Sequence, residues 1–210
     1  MNEPAIAALV SARLCHDLIS PIGAIGNGLE LLQMSDGRAG AAELGLISES
    51  LGTALARLRF YRVAFGPADT EARQSFDEAR QITDAMFHGR FGVDWAETGD
   101  GAMPRAVAQL AYLAILCFER SLPMGGAVRV AATTGAVELA AEGCRVAAPA
   151  DLWLHVVSGA RVAEPRPDNV QFLLLRHAMA ARGYRAERRF SETAAALRLI
   201  APAVSRAIPA

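Results

Sequence analysis

The chain has 210 residues, 52% apolar and 20% charged, enough for a sizeable core and too apolar for a disordered segment. A formal net charge of −1 excludes the basic excess of a nucleic-acid binder, and all 21 basic residues are arginine. Cys15, Cys117 and Cys144 form an odd set without CxxC spacing, so neither a disulfide framework nor a zinc site is expected.

From Asn2 to Gln33 the residues Leu14, Leu18, Ile22, Ile25, Leu29 and Leu32 recur every three or four positions. At 3.6 residues per turn they fall in a stripe of about 80°, the signature of an amphipathic helix. Asn2 with Pro4 marks its start and Ser35-Asp36-Gly37 its stop. Leu44, Ile47, Leu51, Leu55, Leu58, Tyr61 and Phe65 repeat the pattern in a second helix, ended by Gly66-Pro67. Two long helices with a short connection form an antiparallel hairpin. One hairpin buries too little apolar surface, so a homodimer closing a four-helix bundle is expected.

After Pro67 helices and strands mix. Helices are expected over Gln74–Phe87, Pro104–Ser121, Pro149–Val157 and Asn169–Ala181. Strands are expected over Phe91–Trp95, Ala127–Ala132, Val137–Ala141, Tyr184–Phe190 and Ala195–Ile200, with Glu164-Pro165-Arg166-Pro167 as a loop. The longest apolar run, Ala106–Phe118, is interrupted by Gln109 and falls short of the roughly 18–20 residues of a membrane span. The N-terminus lacks the layout of a signal peptide. The expectation is a soluble, cytoplasmic α+β protein with a helical hairpin at 1–66 and a second domain at 67–210.

The chemistry concentrates in the first helix. His16 falls opposite the apolar stripe and faces outward, as an ordinary surface histidine also would. Its neighbours separate the two readings. Asp17 follows directly, and a carboxylate beside an imidazole can fix the tautomer and leave the far nitrogen free as a nucleophile. Pro21 lies inside the helix, where it removes one backbone hydrogen bond and frees the carbonyl of Asp17. Gly23, Gly26 and Gly28 each cost about 0.5–1 kcal/mol against alanine in a helix interior. A segment that tolerates such costs around one exposed histidine uses that histidine.

His16-Asp17-x-x-x-Pro21 resembles the H-box of the dimerisation and phosphoacceptor domain of histidine kinases. The longer string from His16 to Leu32, HDLISPIGAIGNGLELL, resembles the ChpT-type histidine phosphotransferases, which relay phosphate between receiver domains. Asn169–Pro202 is similar to the end of a kinase ATPase domain, and Pro123-Met124-Gly125-Gly126 to the segment after the kinase N-box. The resemblance therefore implies a dimeric four-helix bundle followed by a degenerate ATPase-like α/β sandwich. It places Cys117 where a kinase carries its magnesium-binding asparagine. No Asp-x-Gly-x-Gly occurs, 158–168 lacks a glycine lid, and Gly23-x-x-Gly26-x-Gly28 has neither the spacing nor the preceding strand of a phosphate loop.

The resemblance implies that His16 takes a phosphoryl group from the aspartyl phosphate of one receiver and passes it to another, with Asp17 assisting and no ATP. It implies no cofactor on this chain, with Mg2+ on the receiver. Partners would be receiver domains of a hybrid histidine kinase and of response regulators, with neither nucleic acid nor membrane involved. Leu9, Ser20, Gly23 and Asn27 share the side of His16 and would form the docking face, an apolar foothold beside low relief. An ATP-dependent kinase and a non-catalytic receiver-binding adaptor are the rival readings. His88, His155 and His177 are expected to be structural or surface residues and Cys15 a packed one. Arg185, Arg188 and Arg189 are expected on a solvated strand face, and Trp95 and Trp153 in the core.

Overall fold

In the computed structural model, α1 (Glu3–Met34) and α2 (Ala41–Ala64) form the expected antiparallel hairpin. The structure describes residues 3–34, 40–68, 71–96, 98, 101–143 and 145–203, so Asn2, Ser35-Asp36-Gly37 and Cys144 lie outside the described residues. Pro21 is buried and α1 runs through it without a break. At Gly28 the helices touch: a Cβ there would stand 2.6 Å from Cγ1 of Ile47, so only glycine allows this approach. Gly23 and Gly26 face open space. The three glycines expected to act together around His16 thus serve different ends, and Gly28 is a packing residue.

The apolar stripe of α1 also divides. Leu14, Leu18, Ile25 and Leu32 are partly covered, whereas Ile22 and Leu29 are exposed along with Leu44, Leu51, Leu55 and Leu58 of α2. Leu29, expected in the hairpin core, is 48% exposed. The physical reason is that α1 meets both α2 and the second domain, which leaves the far edge of its stripe uncovered. By length and composition Ala5–Met34 could also cross a membrane, although the longest uninterrupted apolar runs lie elsewhere in the chain. Here α1 packs along α2 and donates and accepts hydrogen bonds through Arg13 and Asp17.

Phe60, Tyr61, Val63 and Ala64 at the end of α2 are buried in the core of the second domain. Phe60 meets Phe87 edge-on at 5.3 Å and lies tilted against Tyr112 at 4.8 Å between ring centroids. Gln109 Nε2 donates to the Gly66 carbonyl at 2.7 Å, tying the hairpin end to the next domain.

There, β1 (Arg73–Ser75) pairs antiparallel with β3 (Ala102–Pro104), and α3 (Phe76–Met86) starts where Ser75 Oγ accepts from the Glu78 amide at 3.1 Å. The helix expected from Gln74 therefore begins two residues later, because Ser75 caps it and the residues before it are drawn into the ribbon. The main sheet contains β2 (Phe91–Ala96), β4 (Gly126–Ala132), β5 (Ala136–Glu142), β6 (Arg185–Phe190) and β7 (Ala194–Ile200) in the order β2-β4-β5-β7-β6. Among the described residues only the β2–β4 pair is parallel. One face packs on α3, α4 (Arg105–Ser121), α5 (Ala150–Ser158) and α6 (Val170–Ala181). The other face, with Arg129, Glu138, Ala140 and Arg198, is open. This is an α/β sandwich, as the resemblance implied.

Trp95 and Trp153 are core residues, as expected, and their indoles donate to Thr83 Oγ1 at 3.1 Å and Ser121 Oγ at 2.9 Å. Gly125 turns the chain from α4 into β4 at φ +86°, where a Cβ would stand 2.1 Å from the Arg90 carbonyl oxygen. Cys15 is exposed rather than packed, since it follows the outward side of α1. Arg188 lies over the Phe190 ring at 5.1 Å; strand alternation puts it on the opposite face from Arg185 and Arg189.

Candidate functional site

His16 stands on the outer side of α1 with 84% of its side chain exposed. Its Nδ1 lies 2.9 Å from Oδ1 of Asp17, whose side chain is only 13% exposed. An ionised carboxylate can only accept, so Nδ1 donates to it, and in the neutral ring Nε2 is the nitrogen with the free lone pair. The second carboxylate oxygen, Oδ2, accepts from Arg13 Nε one turn earlier and from the Tyr61 hydroxyl of α2. Burial alone would raise the Asp17 carboxyl, but the hydrogen bonds from His16, Tyr61 and Arg13 outweigh it and hold it below the ordinary carboxylate range. Asp17 is therefore a fixed negative charge directly behind the imidazole.

Pro21 has no amide hydrogen to offer the Asp17 carbonyl four residues earlier. That carbonyl accepts instead from Arg57 Nη1 of α2. The proline expected to free a carbonyl thus opens a cross-helix bond that fastens the histidine segment to α2. Glu119, near the end of α4, faces the same group of charges. Burial pushes its carboxyl up, with Arg13 and Arg57 opposing and Asp17 adding to the shift.

A crevice of about 520 Å³ separates Ala12, Arg13, His16 and Asp17 from the Arg166-Pro167-Asp168 segment of the second domain. This segment enters a short 3-10 turn, Pro167–Asn169. Its shape is set by Asn169, whose Oδ1 accepts from the Arg166 amide at 2.8 Å and whose Nδ2 donates to the Glu164 carbonyl at 3.1 Å. Arg120 Nη2 donates to Asp168 at 3.2 Å. Sequence reasoning saw only a loop here, and nothing in its spacing ties it to His16. Ser20, Gly23 and Asn27 are exposed on the side of His16, as expected. Leu9 is half-buried, a smaller apolar foothold than the helix angle implied. His88 and His155 are structural, each ring nitrogen bonded to a backbone carbonyl, of Asp84 and Ala160 respectively. Cys117 is fully buried in α4, where burial pushes its thiol up. Among the described residues, no group of three or more His, Cys, Asp or Glu side chains is placed to hold a metal ion.

With this geometry in place, the likeness to known proteins is specific. Residues 76–193 match the family described as the histidine phosphotransferase C-terminal domain, and the chain belongs to that family. Its match with the protein phosphotransferase ChpT of Brucella abortus (strain 2308) is 35% identical over 126 residues, 60% of this chain. It spans 59% of that relative's length. A solved bacterial phosphotransferase superposes with a TM-score of 0.75 at 27% identity, covering 95% of this chain and 97% of the other. The family match lies wholly in the second domain, so the role of His16 rests on the geometry of α1.

Proposed function

We propose that this chain is an ATP-independent histidine phosphotransferase of a phosphorelay, with Nε2 of His16 as the phosphoryl acceptor. The observation that carries this reading is the exposed imidazole whose Nδ1 is engaged by the largely covered Asp17 carboxylate, which leaves Nε2 of the neutral ring as the accessible nitrogen. The Nε2 lone pair attacks the phosphorus of a receiver's aspartyl phosphate, a P–N bond forms, and the P–O bond to the receiver carboxylate breaks. No proton leaves the ring, because Nε2 carries none. The phosphorylated ring then bears positive charge, which the adjacent Asp17 carboxylate offsets. A second receiver reverses the step, its aspartate taking the phosphoryl group and returning the neutral imidazole. Such transfer depends on in-line positioning and charge stabilisation. Magnesium on the receiver would supply the remaining charge.

The partners are then receiver domains of a hybrid histidine kinase and of response regulators, in the cytoplasm. Ser20, Gly23 and Asn27 provide low relief around His16, with Leu9 at the margin. An arginine at position 23 would enter open space and stand between His16 and an approaching receiver. We expect Gly23→Arg to slow transfer more than tenfold, about 1.4 kcal/mol in the transition state, with circular dichroism unchanged. Wild-type rates for this variant would move the docking face elsewhere.

The exposed leucines of the hairpin support a homodimer. Ile22, Leu29, Leu44, Leu51, Leu55 and Leu58 leave an apolar face of the kind that four-helix bundles bury. The absence of ATP from the scheme is supported by Cys117, whose side chain is buried where a kinase would present asparagine to magnesium. We expect millimolar Mg-ATP to leave the melting temperature unmoved, since any ligand of the native state raises stability by RT ln(1 + [L]/Kd). A clear rise would favour a kinase. The direct test is to incubate the chain with a radiolabelled phosphorylated receiver and no nucleotide. Acid-labile label on the chain is expected, and a chain that binds the receiver without taking label would be an adaptor.

A further inference from the structure

We propose that Tyr61 is a positioning residue for phosphoryl transfer at His16, acting through the Asp17 carboxylate. The inference rests on the proposed acceptor role of His16 and extends it to a residue of the second helix.

Tyr61 is 3% exposed, with its ring stacked on Phe65 at 5.0 Å and 9° and set edge-on to Phe60 at 6.1 Å. These contacts leave the phenol no freedom to wander, and its hydroxyl reaches Oδ2 of Asp17. A buried hydroxyl must find a partner. Burial, and then the hydrogen bond to Asp17, push the phenol well above its ordinary range, so it stays a donor at any physiological pH.

The division of labour at the carboxylate is the decisive point. Oδ2 takes Tyr61 and Arg13, and Oδ1 is left to His16 at 2.9 Å. Without the pair of donors on one oxygen, the carboxylate could rotate about its bond to Cβ and offer the ring either oxygen or none. Among the described residues, Asp17 is the hydrogen-bond partner that holds the tautomer of this exposed imidazole. Tyr61 therefore selects the Nδ1–H form of a residue it does not touch. The same bond also joins α1 to α2, a purely structural role. That role would show itself in stability and leave the ring of His16 alone.

The two are separated by Tyr61→Phe, which keeps the stacked ring and removes only the hydroxyl. Nitrogen-15 NMR of the histidine rings reads the tautomer of His16 without any transfer. The wild-type ring is expected predominantly as Nδ1–H, and the variant as a mixture with more Nε2–H. Transfer from a phosphorylated receiver is expected to fall about tenfold, with the melting temperature lowered by only a few degrees. In an Asp17→Asn background the same change is expected to add nothing, because two residues acting through one group are not additive. A wild-type His16 ring that favours Nε2–H, an unchanged tautomer in Tyr61→Phe, or a full tenfold loss on top of Asp17→Asn would each overturn the proposal. Failure of the wild-type chain to take label would count against the phosphotransferase reading instead, since the tautomer is measured independently.

Discussion

Replacing His16 with alanine should abolish phosphoryl uptake while leaving the fold in place. The side chain is 84% exposed and bonds to Asp17, so its removal deletes little packing. Surface substitutions of this kind usually change stability by less than about 0.5 kcal/mol. Asp17 keeps its bonds to Arg13 and Tyr61 and stays compensated. The chemistry, in contrast, loses the proposed acceptor nitrogen; Arg13 has no lone pair to offer, and the Asp17 side chain is only 13% exposed. Label uptake should fall to background, with circular dichroism and melting nearly those of the wild type. Acid-labile phosphate on His16→Ala would move the acceptor to another residue.

The second large effect is expected at Leu29. In the single chain this side chain is 48% exposed, and the apolar residues on its side, Ile22 among them, have no cover. Leu29→Asp would therefore cost a folded protomer little. In a symmetric four-helix bundle the substitution enters twice, placing two carboxylates in an apolar seam with no partner. An uncompensated buried charge costs several kcal/mol, and about 4 kcal/mol is a thousandfold in the dissociation constant. Light scattering should find the wild type near twice 22.2 kDa and the variant near 22.2 kDa, with helical content retained. A Leu29→Asp chain that remains dimeric would place the interface on another face.

Much of this was readable from the sequence because periodicity reports what an element buries. The stripes of α1 and α2, the alternation in β4 and β5, and the glycine turns all translate directly into the elements observed. The ribbon of β1 and β3 was not readable, since three residues such as Arg73–Ser75 cannot display a period of two. Helix angles also placed His16 and Gly23 correctly on an open side but could not tell which apolar positions face α2 and which face the seam. Leu14 and Leu29 lie on one stripe, and only the path of the second domain makes the first covered and the second exposed. The site itself was half legible. His16, Asp17 and Pro21 are neighbours in sequence, and their roles follow from local rules. Tyr61 and Arg57 reach Asp17 from 44 and 40 residues away, and Arg166-Pro167-Asp168 approaches from the far domain. No spacing rule joins such positions; they meet because the close contact at Gly28 sets the helices together and α2 runs into the second core.

The second domain keeps the sandwich of its resemblance and has a visible structural role. It buries the end of α2 and places a loop beside the histidine, so it shapes the approach to His16. The outer face of its sheet holds a shallow depression of about 660 Å³ with an alanine floor and paired charges such as Arg198 and Glu138, 2.8 Å apart. Four arginines, Arg129, Arg188, Arg189 and Arg198, face two glutamates, Glu138 and Glu187, around it, whereas at the histidine site polarity is organised around one ring.

A pulse-chase with two receivers shows whether His16 carries phosphate between them without nucleotide. A first receiver is labelled on its aspartate, freed of nucleotide, and mixed with the chain and an unlabelled second receiver. Label is expected to appear transiently on the chain, in acid-labile form, before it accumulates on the second receiver, and not to move with His16→Ala. Label that reaches the second receiver at the same rate without the chain, or that moves only when ATP is added, would contradict it.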